Sequence, residues 1–179
     1  MCLFDYIFTQ TYYMLLNEPL VEELLHEAAG TRKMLEMIPY EKLGWQPHEK
    51  SMTLGRLGAH IAEIPGWLVQ TIQQEELDFA TADLSPKPLE EPGAILRVFD
   101  ENMQKGLDAL HEATDENLTG AWTLRHGEEI ILRMQRIGIV RGMILNHIVH
   151  HRGQLSVYLR LLDIPVPGMY GPSADDMMG

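Results

Sequence analysis

An all-α fold, and within that class an antiparallel four-helix bundle, is what this 179-residue sequence predicts. Three observations carry the prediction. Four long stretches repeat apolar residues at three- and four-residue steps, the period of one buried helical face. Prolines and polar runs separate those stretches, and only one short region alternates in the manner of strands. The connections are long enough to allow a crossover between helices.

The first helix spans Pro19 to Ile38, where Leu20, Val21, Leu24, Leu25, Ala28, Leu35 and Ile38 form one stripe. Pro19 suits a first turn, whose N–H groups have no partner in the helix anyway, and Pro39 stops it. The second begins near Ser51 and Thr53, both able to cap, and continues through Leu54, Leu57, Ile61, Ile64, Leu68 and Ile72 before fading in the polar run Gln73 to Asp78. Pro65-Gly66 inside it predicts a kink, because proline lacks the N–H and its ring crowds the preceding turn. Leu84 to Pro92 is a proline-broken loop, and Pro92 opens a third helix with Ile95, Val98, Phe99, Met103, Leu107 and Leu110 inward. Next, Ala121-Trp-Thr-Leu and Ile130-Ile-Leu flank Arg125-His-Gly-Glu, which reads as a short hairpin before the last helix. From about Arg136 the helical period returns with Ile137, Val140, Ile144, Ile148, Leu155, Tyr158, Leu159 and Leu162, closed by Pro165 and Pro167.

The chain reads as a single domain over residues 1–179, with a C-terminal loop at 164–179 stiffened by its prolines. Residues 1–16 hold Phe4, Tyr6, Phe8, Tyr12 and Tyr13, too apolar to be left in water. They predict an aromatic N-terminal arm or helix packed on the bundle or on a second subunit.

Composition narrows the function. With 14 Lys+Arg against 26 Asp+Glu the net charge is −12, and the basic residues are scattered, so direct nucleic-acid binding is not expected. No apolar run approaches the roughly 18 residues of a membrane span. The single cysteine, Cys2, forms no internal disulfide and fits a reducing compartment, so the expected location is cytoplasmic. The 11 methionines are dispersed core filler, and Trp45, Trp67 and Trp122, with apolar neighbours, read as packing residues.

The histidines are the candidate chemistry. His147 and His151 stand four apart, one turn above the other on a helix, the spacing at which two imidazoles meet one divalent ion. Their face is the apolar one, shared with Val140, Ile144, Ile148 and Leu155. His60 sits likewise on the stripe of Leu57, Ile61 and Ile64, while His150 points about 100° away and is left outside the ligand set. Gly55, Gly58, Ala59 and Ala62 on the second helix and Gly153 on the fourth predict close helix approach. Two readings stand on the residues alone: buried histidines with hydrogen-bond partners, or ligands of a metal.

The runs TRKMLEMIP (31–39), WQPHEKSMTLGRLGAHIAEIPGW (45–67) and NHIVHHRGQLSVYLRLLDIPVPGMYGPSADD (146–176) closely resemble the DinB-like (DinB/YfiT) family, and the resemblance covers roughly Leu20 to Asp176. Its most specific element is a histidine on the second helix combined with His-x-x-x-His-Arg-Gly-Gln on the last. The resemblance implies a metal triad of His60, His147 and His151, and it implies a homodimer, to which the aromatic arm also points. Three neutral imidazoles without a carboxylate leave positions open to water or substrate, as catalytic metal sites do. Such ligands suit Zn, Ni, Fe, Mn or Co, and affinity order does not choose among them.

Around the triad, Gln154, Asn146 and Glu63 are candidates to orient a ring through its second nitrogen. Arg141 and Arg152 either pair with acidic neighbours or receive an anionic cofactor. The resemblance implies a metal-dependent transferase that uses a low-molecular-weight thiol, such as bacillithiol or mycothiol, on an electrophilic small molecule. A metal-dependent hydrolase at the same three-His site and a non-catalytic metal-binding stress-response protein are the alternatives. No Ser or Cys near these motifs offers a covalent nucleophile.

Overall fold

The computed structural model describes residues 14–83, 85, 91 and 93–176. The aromatic segment up to Tyr13, most of the expected proline-broken loop (residues 84, 86–90 and 92) and the tail 177–179 lie outside the described residues. In chain order the elements are α1 (Asn17–Glu36), α2 (Leu54–Glu63), α3 (Trp67–Gln73), β1 (Glu76–Asp78), α4 (Ala94–Glu112), α5 (Asp115–Thr119), β2 (Ala121–His126), β3 (Glu129–Gln135), α6 (Arg136–Ile139) and α7 (Asn146–Leu161). A tight 3₁₀ turn at Ile64–Gly66 joins α2 to α3, and a wider π turn at Val140–Leu145 joins α6 to α7. Four helical columns result: α1, α2–α3, α4 and α6–α7. No helix among the described residues is long and apolar enough to cross a membrane.

Both α1 and α2 pack against α4 and α7. Paired residues give the directions. Asn17, at the start of α1, donates to the Leu110 and His111 carbonyls at the end of α4, and Arg32 further along reaches Asp100, so α1 and α4 are antiparallel. Tyr158 donates to the Met52 carbonyl while Trp67 meets His147, so α2–α3 and α7 are antiparallel as well. Arg141 pairs with Glu23 and Arg152 with Glu27, which makes α1 and α7 parallel. Gly58 lies against Ile95 and the Ala62 carbonyl accepts from Asn102, which makes α2 and α4 parallel. The four-helix bundle thus alternates antiparallel and parallel neighbours, and the long connections supply the crossovers.

The buried faces follow the apolar stripes. Leu20, Leu24, Leu54, Leu57, Ile61, Ile64, Leu68, Phe99, Leu110, Leu155 and Leu159 belong to one core, each nearly inaccessible. Burying such a side chain contributes about 1.5–3 kcal/mol, an upper range because the unfolded chain already hides some surface. Leu25 departs from the expected stripe and is exposed; it is one residue on from Leu24, hence about 100° round the helix. At the start of α2 the Thr53 side chain accepts from the Arg56 N–H, the cap that satisfies an orphan donor.

Pro65 acts as expected of a kink. The backbone stays right-handed from Glu63 to Trp67, but the turn tightens where the proline N–H is missing. Two glycines let α4 come close there. A Cβ on Gly106 would lie 2.5 Å from the Pro65 carbonyl oxygen, and one on Gly66 would lie 2.9 Å from Asn102 Oδ1. Gly153, by contrast, is exposed with nothing within 4 Å of a Cβ, so it does not serve the close approach expected of it. Close approach is served instead by Gly106 and Gly66 and, as expected, by Gly58, where a Cβ would lie 2.6 Å from Ile38 Cδ1 and 3.0 Å from Ile95 Cδ1.

The hairpin before the last helix is present, with Gly127 at φ 59° in its turn, and it is longer than the sequence suggests. The run Gln73 to Asp78, read as polar fading, adds a third strand: β1 pairs parallel with β2, Glu76 opposite Thr123. Backbone pairing and two bonds from Gly127 and Ala80 N–H to the Asp78 carboxylate hold it. Trp122, Leu124 and Ile139 form a small second core there. Buried Arg136 ties the sheet to the bundle by donating to the carbonyls of Thr71, Gln74 and Ala121 and to the Glu75 carboxylate. The last helix therefore starts from a fixed point. The C-terminal loop folds back along it, with Asp175 accepting from Arg160 and from the Val166 N–H.

Candidate metal centre

The packing of α2 on α7 brings His60 against His147 and His151, which their four-residue step sets on one face of α7. The Nε2 atoms of His147 and His151 are 2.8 Å apart, and that of His60 is 3.4 Å from His147 Nε2. One ligand atom from each of the three rings falls within 4.8 Å of the others, and no carboxylate belongs to the group. Bonds of about 2.0–2.1 Å to a tetrahedral zinc ion would set imidazole nitrogens about 3.3 Å apart, so this spacing fits a single ion.

The outer nitrogens decide what the inner ones can do. His147 Nδ1 lies 3.3 Å from the Met143 carbonyl oxygen, which can only accept, so Nδ1 carries the hydrogen and Nε2 a lone pair. His151 Nδ1 lies 2.7 Å from Gln154 Oε1, with the same consequence. Two lone pairs therefore face each other at 2.8 Å. A hydrogen between them would require either that one neutral ring give up its outer bond or that one ring become charged, whereas a metal cation accepts both lone pairs. Protonation is also opposed by the surroundings. Burial, followed by repulsion from His151, His147 and Arg56, lowers His60 to about 4. Burial is likewise the first cause of the lowered values of His147 and His151. Neutral imidazoles with converging lone pairs are the donor set that a divalent ion requires.

His60 is supported less completely. Its buried Nδ1 has no hydrogen-bond partner among the described residues, and the nearest carboxylate oxygen, Glu63 Oε2, is 4.0 Å away. Arg56 holds Glu63 in place at 2.9 Å. Trp67 forms a wall beside the site, with ring centroids 5.6 Å from His60 and 5.4 Å from His147. Trp67 also packs against the core, the role expected of it, but its place beside the histidines is not expected from the sequence. Its position seven residues after His60, two turns along the same face, was the available signal.

Of the other candidates, Gln154 contacts the triad directly and Glu63 stands near it. Asn146 is exposed, and the outer nitrogens of both α7 ligands are taken by Met143 and Gln154, so the ring-orienting role expected of Asn146 falls to Met143. Arg152 is buried and directed to α1, where it donates to the Glu27 carboxylate, the Glu27 carbonyl and Thr31. Arg141 pairs with Glu23. Both arginines are thus in ion pairs with α1, which is the first of the two roles expected of them. Tyr158 packs edge-on against Trp45.

The fold and this site define a helical-bundle protein with a three-histidine centre able to hold a metal ion. The chain belongs to the DinB family, which it matches over residues 10–178. The uncharacterized protein YrdA of Bacillus subtilis (strain 168) is 27% identical over 157 residues, covering 84% of this chain and 85% of that protein. A solved DinB-like protein of Bacillus subtilis, YjoA, shares the fold at a TM-score of 0.64 with 20% identity, over 82% of this chain and 96% of its own. A second, from Bacillus cereus ATCC 10987, aligns at 0.61 with 25% identity, over 88% and 99%.

Proposed function

We propose that the protein binds one divalent metal ion through His60, His147 and His151 and is a metal-dependent transferase joining a low-molecular-weight thiol to an electrophilic small molecule. The observation that supports this most is the set of neutral imidazole nitrogens converging without a carboxylate. When bound in such a site, an ion that keeps its full charge lowers the pKa of a thiol beside it.

The chain's own residues supply orientation and shielding. The Met143 carbonyl and Gln154 fix the tautomers of His147 and His151, so that Nε2 faces inward in both. Trp67 closes one side with an apolar surface that excludes water and favours the apolar part of an electrophile. Glu63, held by Arg56, has a carboxylate oxygen 4.0 Å from His60 Nδ1 and favours the N–H on that nitrogen. The sulfur forms the new bond to the electrophilic carbon, a leaving group such as halide departs with the bonding pair, and the thiol proton goes to solvent.

The test uses cobalt-loaded protein and three thiols, bacillithiol, mycothiol and glutathione. Addition of the correct thiol at millimolar concentration is expected to change the cobalt absorption spectrum, and thiol consumption with an aryl halide is expected to stop after chelation. An unchanged spectrum with all three thiols would remove the transferase reading. Activity retained after complete metal removal would remove the metal requirement.

A further inference from the structure

His150 is left outside the ligand set by its helical phase, and it is exposed. It nevertheless touches the site. Its ring centroid is 4.8 Å from that of His151, and its Nε2 is 3.1 Å from Gln154 Nε2. Positions 150 and 154 are one helical turn apart, as are 151 and 154, so a single glutamine side chain bridges both rings.

We propose that His150 is a positioning residue: by accepting from the Gln154 amide nitrogen, it fixes which end of that amide faces His151 and hence which ring nitrogen of His151 is free for the ion. The inference rests on the metal reading given above. His151 turns Nε2 toward His147, so a ligating His151 must carry its hydrogen on Nδ1. Nδ1–H needs an acceptor, and Gln154 Oε1 is there at 2.7 Å. An amide has one accepting end and one donating end, so with oxygen toward His151 its NH₂ must point to His150. His150 Nε2 must then present a lone pair. With the amide reversed, NH₂ faces His151 Nδ1, the ring hydrogen moves to Nε2, and His151 is blocked as a ligand.

His147 needs no such support. Its outer partner is the Met143 backbone carbonyl, which has no donating end to turn round. Only the His151 tautomer depends on a reversible group, and His150 is the residue bonded to the far end of that group.

A double-mutant cycle separates this role from a merely structural one. Glutamate at 154 offers only acceptors, so its orientation no longer matters. His150→Ala is expected to weaken Co²⁺ binding about 10-fold when residue 154 is glutamine, the lower end of the effect of losing an outer partner. In the Gln154→Glu background the same change is expected to have no effect on affinity. An equal loss in both backgrounds, or no loss in either, would overturn the proposal. Nitrogen-15 NMR of the His151 ring in metal-free His147→Ala protein reads the tautomer without any ion and without the opposing lone pair. There the expected state is Nδ1–H, becoming a mixture when His150→Ala is added. Unchanged Nδ1–H after that addition would also overturn it. Failure of otherwise intact protein to bind Co²⁺ would instead count against the metal reading, and the NMR arm would still decide the role of His150.

Discussion

The two halves of the histidine centre are built in different ways. On α7, His147 and His151 are placed by one helix, and each has a hydrogen-bond partner at its outer nitrogen within four residues. On α2, His60 depends on how closely a separate helical column approaches, and its outer nitrogen has no partner within hydrogen-bond distance among the described residues. Helical spacing alone therefore prepares two ligands, and tertiary packing delivers the third. The α7 half should tolerate changes elsewhere in the bundle, and the α2 half should not.

The largest expected effect comes from removing ligands. His147 makes both of the short nitrogen contacts, 2.8 Å to His151 and 3.4 Å to His60, so His147→Ala removes both and should abolish retention of metal on dialysis. His60→Ala leaves the α7 pair intact and should retain weak binding. Its loss should exceed the roughly 100-fold ceiling seen for outer partners. Elemental analysis after equilibrium dialysis against graded free metal checks both. Equal affinities in the two variants would break the comparison.

Packing beneath the α2 half should come next. Gly106→Ala would put a methyl group 2.5 Å from the Pro65 carbonyl oxygen and 3.0 Å from Leu68 Cδ1. Backbone cannot yield there cheaply, so a loss of about 1–3 kcal/mol is expected, despite alanine's better helix propensity. Gly153→Ala on α7 meets nothing and should stabilise by up to about 1 kcal/mol. Urea denaturation of the two variants measures this, and metal affinity should fall only in Gly106→Ala.

Much of this was legible in the sequence because it is periodic. The four-residue step from His147 to His151, the apolar stripe carrying His60 and the proline kink are local patterns with one physical reading. The π turn at Val140–Leu145 was not legible, because its apolar residues continue the helical rhythm. Strand β1 is three residues long with one apolar side chain, too short to alternate visibly. The choice between Asn146 and Gln154 depended on side-chain direction, and the importance of Gly106 depended on a neighbour some forty positions away in the chain. Residues 1–13 lie outside the described residues, so the aromatic arm expected there has no place in this comparison.

A smaller effect would sharpen the account of His60. If Glu63 is its outer partner, Glu63→Ala should weaken metal binding about 10-fold, at the lower end for such residues, and leave the α7 rings unchanged. Competition titration against a chelator of known affinity measures the first point, and the His147 and His151 ring resonances of the loaded protein measure the second.

The smallest effect lies on the α7 side, in the C-terminal loop. Asp175 is held below its ordinary value of 3.8 first by the bond from Arg160 and then by the Val166 N–H, and Asp176 is lowered by the Ser173 N–H. A lowered carboxylate pKa favours the folded loop at pH above 3.8, and that contribution disappears as pH falls through the lower folded values. The amide resonances of Val166 and Ser173 should therefore shift with a midpoint below pH 3.8. A midpoint above it would contradict the arrangement.

The central claim is that three imidazoles from two helical columns make one metal site. Titration of metal-free protein with Co²⁺, followed by visible absorption, tests it most directly. Saturation at one ion per chain, lost in the His60→Ala/His147→Ala double variant, is the predicted result. Saturation with the same stoichiometry and affinity in that double variant, or no Co²⁺ signal in the wild-type chain, would contradict it.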